Sequence, residues 1–113
     1  MIRRVMLLSI DGASPAALDE IRRRLVETPA HVEGVASSEV YDTLPSLNAD
    51  WTLVCETVFE DEAAVQRYRD HPYHLGPIRQ AFEGLSLRVS SAFYRAGEAE
   101  TTSGAGAGAA AGG

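Results

Sequence analysis

Residues 2 to 10 carry Val5, Met6, Leu7, Leu8 and Ile10 with no polar alternation, the pattern of a strand covered on both faces. Asp11 and Gly12 end it. Ser14 and Pro15 predict a helix start, with serine as N-cap and proline in the first helical position, and Ala17, Leu18, Ile21 and Leu25 follow at helical spacing. Pro29 is expected to stop that helix near Thr28. Val35 to Thr43 alternates weakly and reads as a second strand, followed by breakers at Pro45, Ser46, Asn48 and Asp50. Trp51 to Phe59 alternates more clearly, with Trp51, Leu53, Cys55, Thr57 and Phe59 on one side and Thr52, Val54, Glu56 and Val58 on the other.

Asp61 is a candidate N-cap for another helix, in which Ala64, Val65 and Tyr68 share a stripe. That helix should end about His71, because the residue before Pro72 is pushed out of the α region. Pro77 is then expected to open a further short helix with Ile78, Ala81 and Phe82, closed by Gly84. Leu87 to Tyr94 alternates again as a last strand. The order β-α-β-β-α-β is the α+β arrangement of a ferredoxin-like fold, an antiparallel sheet with both helices on one face. The uncovered face, beside a first strand that is apolar on both sides, predicts that two copies pair as a homodimer.

The 113 residues fit one domain. A folded unit is expected over residues 1–97 and a disordered Gly/Ala-rich tail over 98–113, since the stretch 101–113 has no charge and no large side chain to offset its ordering entropy. A net charge of −6 and a pI near 4.9 argue against a general grip on nucleic acid or an anionic membrane. Arg22, Arg23 and Arg24 read as the wet side of the first helix. Cys55 is the only cysteine, so no intrachain disulfide is possible and a reducing, cytoplasmic setting is expected. The apolar run at the N-terminus is too short for a signal sequence or a membrane span.

The segment Tyr68 to His74 holds a phenol and two of the three histidines around a proline. On an unbroken helix Tyr68 and His71 would share a face, whereas His74, six residues on, would point about 240° around. A break at Pro72 is what would swing His74 toward Tyr68. An imidazole of ordinary pKa near 6.5 can take a proton alpha to a carbonyl at neutral pH, while a protonated phenol donates to the enolate oxygen. The plain alternative is that Tyr68 belongs to the core, His71 complements the end of a helix dipole and His74 is a hydrogen-bonded turn residue. His71 and His74 alone fall short of the three or four ligands typical of zinc, so no metal is expected.

Residues 2 to 94 resemble the stress-responsive dimeric α+β barrel (A/B-barrel) family, on the opening strand Ile2 to Leu8, the run Phe59 to Tyr68, and the ending His71, Pro72, Tyr73, His74. The resemblance implies a dimeric α+β barrel and, by way of the family's plant polyketide cyclase, a cofactor-free aldol closure. In that enzyme the catalytic pair corresponds to Tyr68 and His74. Two further pocket histidines fall on Arg4 and Leu53, so neither imidazole is kept. Strand alternation puts Arg4, Met6 and Leu8 on one face, and the resemblance adds Leu53, Cys55 and Thr57 to it. With His71 these form the candidate substrate-binding set, and Arg4 is a candidate carboxylate, phosphate or enolate partner. Three functions follow: a small cofactor-independent, polyketide cyclase-like lyase, a stress-associated dimer that binds a small apolar acid without turnover, and a cofactor-free monooxygenase, for which Trp51, Tyr73 and Tyr94 are the compatible aromatics.

Overall fold

The computed structural model describes residues 1–97 and 99–101, so the expected tail over 98–113 lies almost wholly outside the described residues. Four strands, β1 (Ile2–Asp11), β2 (Val35–Asp42), β3 (Leu53–Phe59) and β4 (Ser86–Arg95), form one antiparallel sheet in the order β2-β3-β1-β4. β1 lies inside the sheet, hydrogen-bonded to β3 on one side and to β4 on the other. That position explains why its sequence lacks a polar face.

Helices α1 (Pro15–Val26), α2 (Thr28–His31), α3 (Glu62–Asp70) and α4 (Arg79–Ala81) join the strands, with a π-helical turn over His74–Ile78 leading into α4. The Ser14 side chain caps α1 by accepting from the Ala17 N–H, and Asp61 caps α3 by accepting from the Ala64 N–H at 2.8 Å. Ile21 and Leu25 of α1 and Ala64, Val65 and Tyr68 of α3 are buried against the sheet. Beneath them lie Ile2, Leu8, Leu53, Cys55 and Phe59. The register fixes this face, since Ile2 stands opposite Phe59, Arg4 opposite Thr57, Met6 opposite Cys55 and Leu8 opposite Leu53. The result is the ferredoxin-like α+β fold expected from the order of elements.

Three local readings shift. Pro29 does not end α1, which stops at Val26; it enters the first turn of α2, where a missing N–H removes no intrahelical bond. β3 begins at Leu53 rather than Trp51, because Trp51 turns aside and lies under the Arg88 guanidinium, 4.9 Å from its ring centroid. The last helical segment resumes at Pro72 instead of opening at Pro77. Pro77 sits inside it without an N–H to give to the Tyr73 carbonyl, and the chain there is π-helical.

The helices leave two surfaces bare. On the far side of the sheet Val5, Leu7, Val54 and Val58 are only half-buried. On the helix side β4 is uncovered, with Leu87, Val89 and Phe93 exposed. No helix among the described residues is long and apolar enough to cross a membrane.

Candidate functional site

Tyr68 occupies the last turn of α3, pointing onto the sheet, and is 3% exposed. Its ring meets Phe59 edge-on at 5.6 Å between centroids. His71 then leaves the helix with extended backbone, φ −72° and ψ 140°, as the following proline demands. Its Nδ1 accepts from the Tyr73 N–H at 3.0 Å, a side-chain cap for the turn that restarts the helix. Tyr73 is buried, stacks on His31 at 4.2 Å, and donates its hydroxyl to the Arg24 carbonyl at the end of α1. The segment is therefore pinned immediately before His74.

That pinning brings His74 back over Tyr68, with ring centroids 4.6 Å apart and planes tilted by 38°. His74 Nδ1 lies 3.1 Å from the Arg69 carbonyl oxygen. A carbonyl can only accept, so Nδ1 carries the proton and Nε2 keeps its lone pair. Burial pushes the His74 pKa below its ordinary 6.5, the Arg69 carbonyl opposes this, and the positive charges of Arg79, Arg4 and Arg69 push it down further. The unfolded chain therefore takes up the proton first as pH falls. The contribution of His74 to stability is complete above pH 6.5 and declines as pH drops toward the folded pKa. An NMR titration of the imidazole is expected to give a midpoint below 6.5 in the folded protein; a midpoint at 6.5 would mean that the ring faces water, and one above it that the ring faces an acid.

Arg4 is the charged side chain buried in this layer, only 7% exposed. One Nη donates to Thr57 Oγ1 at 3.0 Å, and the guanidinium lies 5.2 Å from the Tyr68 ring centroid and 5.8 Å from that of Phe59. Its buried Nε has no hydrogen-bond partner. Arg4, Tyr68 and His74 together line a cavity of about 210 Å³ between the sheet, the end of α1, α3 and the π-helical turn. Met6, Leu8 and Phe82 supply apolar wall.

Five of the residues singled out from sequence, Arg4, Met6, Leu8, Tyr68 and His74, thus meet at one cavity. Leu53, Cys55 and Thr57 share its sheet face but are closed off beneath it, at 0 to 1% exposure, with Cys55 Sγ 3.7 Å from Thr57 Oγ1. Thr57 acts through Arg4. His71 faces its own turn rather than the cavity. Sequence reasoning missed Arg79, which gave no signal. It also missed Tyr73 as an anchor, whose only trace was an aromatic beside the proline. A larger, open groove of about 420 Å³ runs between α3 and β4 past Glu62, Gln66, Arg69, Phe93 and Tyr94, but it holds no imidazole. Among the described residues no three metal-ligating side chains come together.

A four-stranded antiparallel sheet backed by helices, with one small apolar cavity holding a phenol, an imidazole and a guanidinium, defines a ferredoxin-like α+β protein of the A/B-barrel kind. The chain belongs to the stress-responsive A/B barrel domain family, whose model matches residues 2–91. Among solved structures it is similar to a protein of Arabidopsis thaliana, with 23% identity over 91% of this chain and 99% of that one and a TM-score of 0.74. A dimeric ferredoxin-like protein of unknown function from Bacteroides fragilis shares 14% identity over 82% and 93%, with a TM-score of 0.70. The cofactor-independent oxygenase SnoaB of Streptomyces nogalater shares 21% identity over 89% and 94%, with a TM-score of 0.67. No curated protein matches the chain.

Proposed function

We propose that this protein is a small cofactor-independent enzyme that closes a ring in a polyketide-like substrate by an aldol or Claisen-type step, with Tyr68 and His74 as its acid–base pair. The observation that carries this reading is the contact between the two rings inside a mostly apolar cavity, with Nε2 of His74 free as a base. His74 Nε2 removes a proton alpha to a carbonyl, and the Tyr68 hydroxyl donates a hydrogen bond to the enolate oxygen. The enolate carbon attacks a second carbonyl of the same chain, forming the new C–C bond. In the aldol case the imidazolium returns its proton to the new alkoxide and water is then lost; in the Claisen case the tetrahedral alkoxide collapses, expels the alkoxide or thiolate of the attacked ester, and the imidazolium protonates that leaving group. The lowered pKa of His74 suits this work, since the imidazole is neutral at pH 7. The test is a linear β-polyketone incubated with wild type, Tyr68→Phe and His74→Ala, and equal product distributions from all three would sink the proposal.

The oxygenase reading has less support on this chain. Trp51 stacks with Arg88, Tyr73 is bonded to α1, and Tyr94 is paired opposite Arg3, on the sheet face away from the cavity. Protein-dependent oxygen consumption with an electron-rich aromatic would revive it. Binding of an apolar acid without conversion would instead favour the carrier reading.

The working unit in this proposal is a homodimer. The half-buried stripe Val5, Leu7, Val54, Val58 on the open face supports it, as does the dimeric state named for a structural neighbour. Light scattering at micromolar concentration is expected to give twice the chain mass of 12.1 kDa, and a monomer would remove the basis for this pairing.

A further inference from the structure

Arg4 is anomalous in a way the Tyr68–His74 chemistry does not explain. A guanidinium offers five N–H donors and a permanent charge. Here it is more than nine-tenths buried, its one side-chain hydrogen bond is to the neutral hydroxyl of Thr57, and its Nε has no acceptor. The ion pairs among the described residues use Arg22, Arg23, Arg24 and Arg95, and none involves Arg4. Buried charges are ordinarily paired. The Phe59 and Tyr68 rings steady the cation without neutralising it. An anion reaching Arg4 through the cavity that it lines would complete it.

The cavity limits the size of that anion. About 210 Å³ exceeds the roughly 150 Å³ that holds a benzene ring in an engineered protein cavity, and it falls below the usual range for drug-sized ligands. One ring, or an open chain folded to the same volume, fills it. Of the remaining walls, Met6, Leu8, Leu25, Ile78 and Phe82 carry no charge, and Arg79 is the one further cation in the lining. Arg79 stands at the exposed margin.

We propose that the cavity takes a small organic monoanion of single-ring size, a keto acid or aromatic acid, whose carboxylate is received by the Arg4 N–H groups that Thr57 leaves free. This rests on the acid–base reading above only for what happens to the ligand next: Arg4 holds one end while Tyr68 and His74 face the other functional groups. Arg4 is thus a specificity-determining residue, selecting acids over their neutral isosteres.

The experiment is calorimetric titration of the full chain at pH 7 with benzoate and with benzamide, which match in size and differ in charge. Benzoate is expected to bind about 10- to 100-fold more tightly, the factor of a charge-assisted hydrogen bond in an enclosed site. Arg4→Gln should bring the ratio near unity, Arg4→Lys should keep a preference for benzoate, and Arg23→Gln, on the solvated face of α1, should change nothing. Circular dichroism and the melting temperature confirm that each variant is folded. If Arg4→Gln fails to fold, the wild-type ratio and Arg4→Lys decide alone. Equal affinities in wild type, no binding of either probe, or a preference that survives in folded Arg4→Gln would each overturn the proposal. Arg4-dependent preference for benzoate without turnover of any polyketone would keep this site and remove the cyclase reading. Turnover that depends on Tyr68 and His74, with benzoate and benzamide bound alike, would do the reverse.

Discussion

His74→Ala is expected to lower ring closure of a linear β-polyketone about 10² to 10⁴-fold, the span that a positioned general base supplies. The loss should fall mainly on kcat, because the imidazole acts on the proton in flight and contributes little to holding the substrate. Structure should survive, since His74 is only half-buried and its one side-chain bond is to a carbonyl at the end of α3. Tyr68→Phe is a finer probe. It removes one hydroxyl and leaves the ring on Phe59, Arg4 and His74, so a loss of about 10² to 10³-fold would report oxyanion stabilisation rather than packing. The double variant should be scarcely worse than His74→Ala, because two groups serving one proton transfer are not additive. Wild-type rates in either single variant, measured by product formation under single-turnover conditions, would remove the pair from the chemistry.

Gly34→Ala is expected to be the most damaging single methyl in the domain, costing about 2 to 5 kcal/mol in urea unfolding. Gly34 has φ +91°, where an L side chain strains the backbone by about 1 to 2 kcal/mol. Its carbonyl is tied to the Glu60 N–H at 2.9 Å, so the strand cannot simply turn over. An added Cβ would stand 2.7 Å from the Ala64 Cβ and 2.6 Å from Arg67 Nη2. The arginine can swing away; Ala64 is fully buried in α3 and cannot, which adds about 1 to 3 kcal/mol of overpacking. Gly84→Ala is the internal control, with φ +77° but nothing within 4 Å of the new methyl, so it should cost only the backbone strain. Equal effects of the two substitutions would show that α3 yields freely. Because α3 also carries Tyr68, Gly34→Ala should disturb the Tyr68–His74 contact, and activity should fall further than stability alone predicts.

Much of the architecture was legible from local rules. A doubly apolar β1, serine and aspartate caps, and the clear alternation of β3 each rest on physics confined to a few neighbouring residues, and each element formed close to where it was expected. Two of the three misread places are prolines. Pro29 and Pro77 read locally as boundaries, yet Pro29 fits the first turn of α2, and the helical segment held by Tyr73, which bonds α1 and stacks on His31, runs through Pro77. Alternation sets Leu53, Cys55 and Thr57 on one side of their own strand and the family resemblance joins that side to Arg4, as the register bears out, but neither could tell a wall of the cavity from the closed layer behind it. That distinction depends on where the helices stop, and they stop short of β4.

By itself, the sequence determined the order of elements, the buried face of each and the break at Pro72 that frees His74 from the helical phase of Tyr68. Those outcomes follow from backbone sterics and the periods of helix and strand, which act within a few residues. Only the tertiary structure decided that His74 comes within 4.6 Å of Tyr68, that His71 caps a turn instead of facing a ligand, and that Arg4 lies buried without an acid. Distance between rings and the pairing of a charge are set by atoms far apart in the chain, Arg4 and Thr57 or Tyr73 and Arg24, which meet only when the helices dock on the sheet.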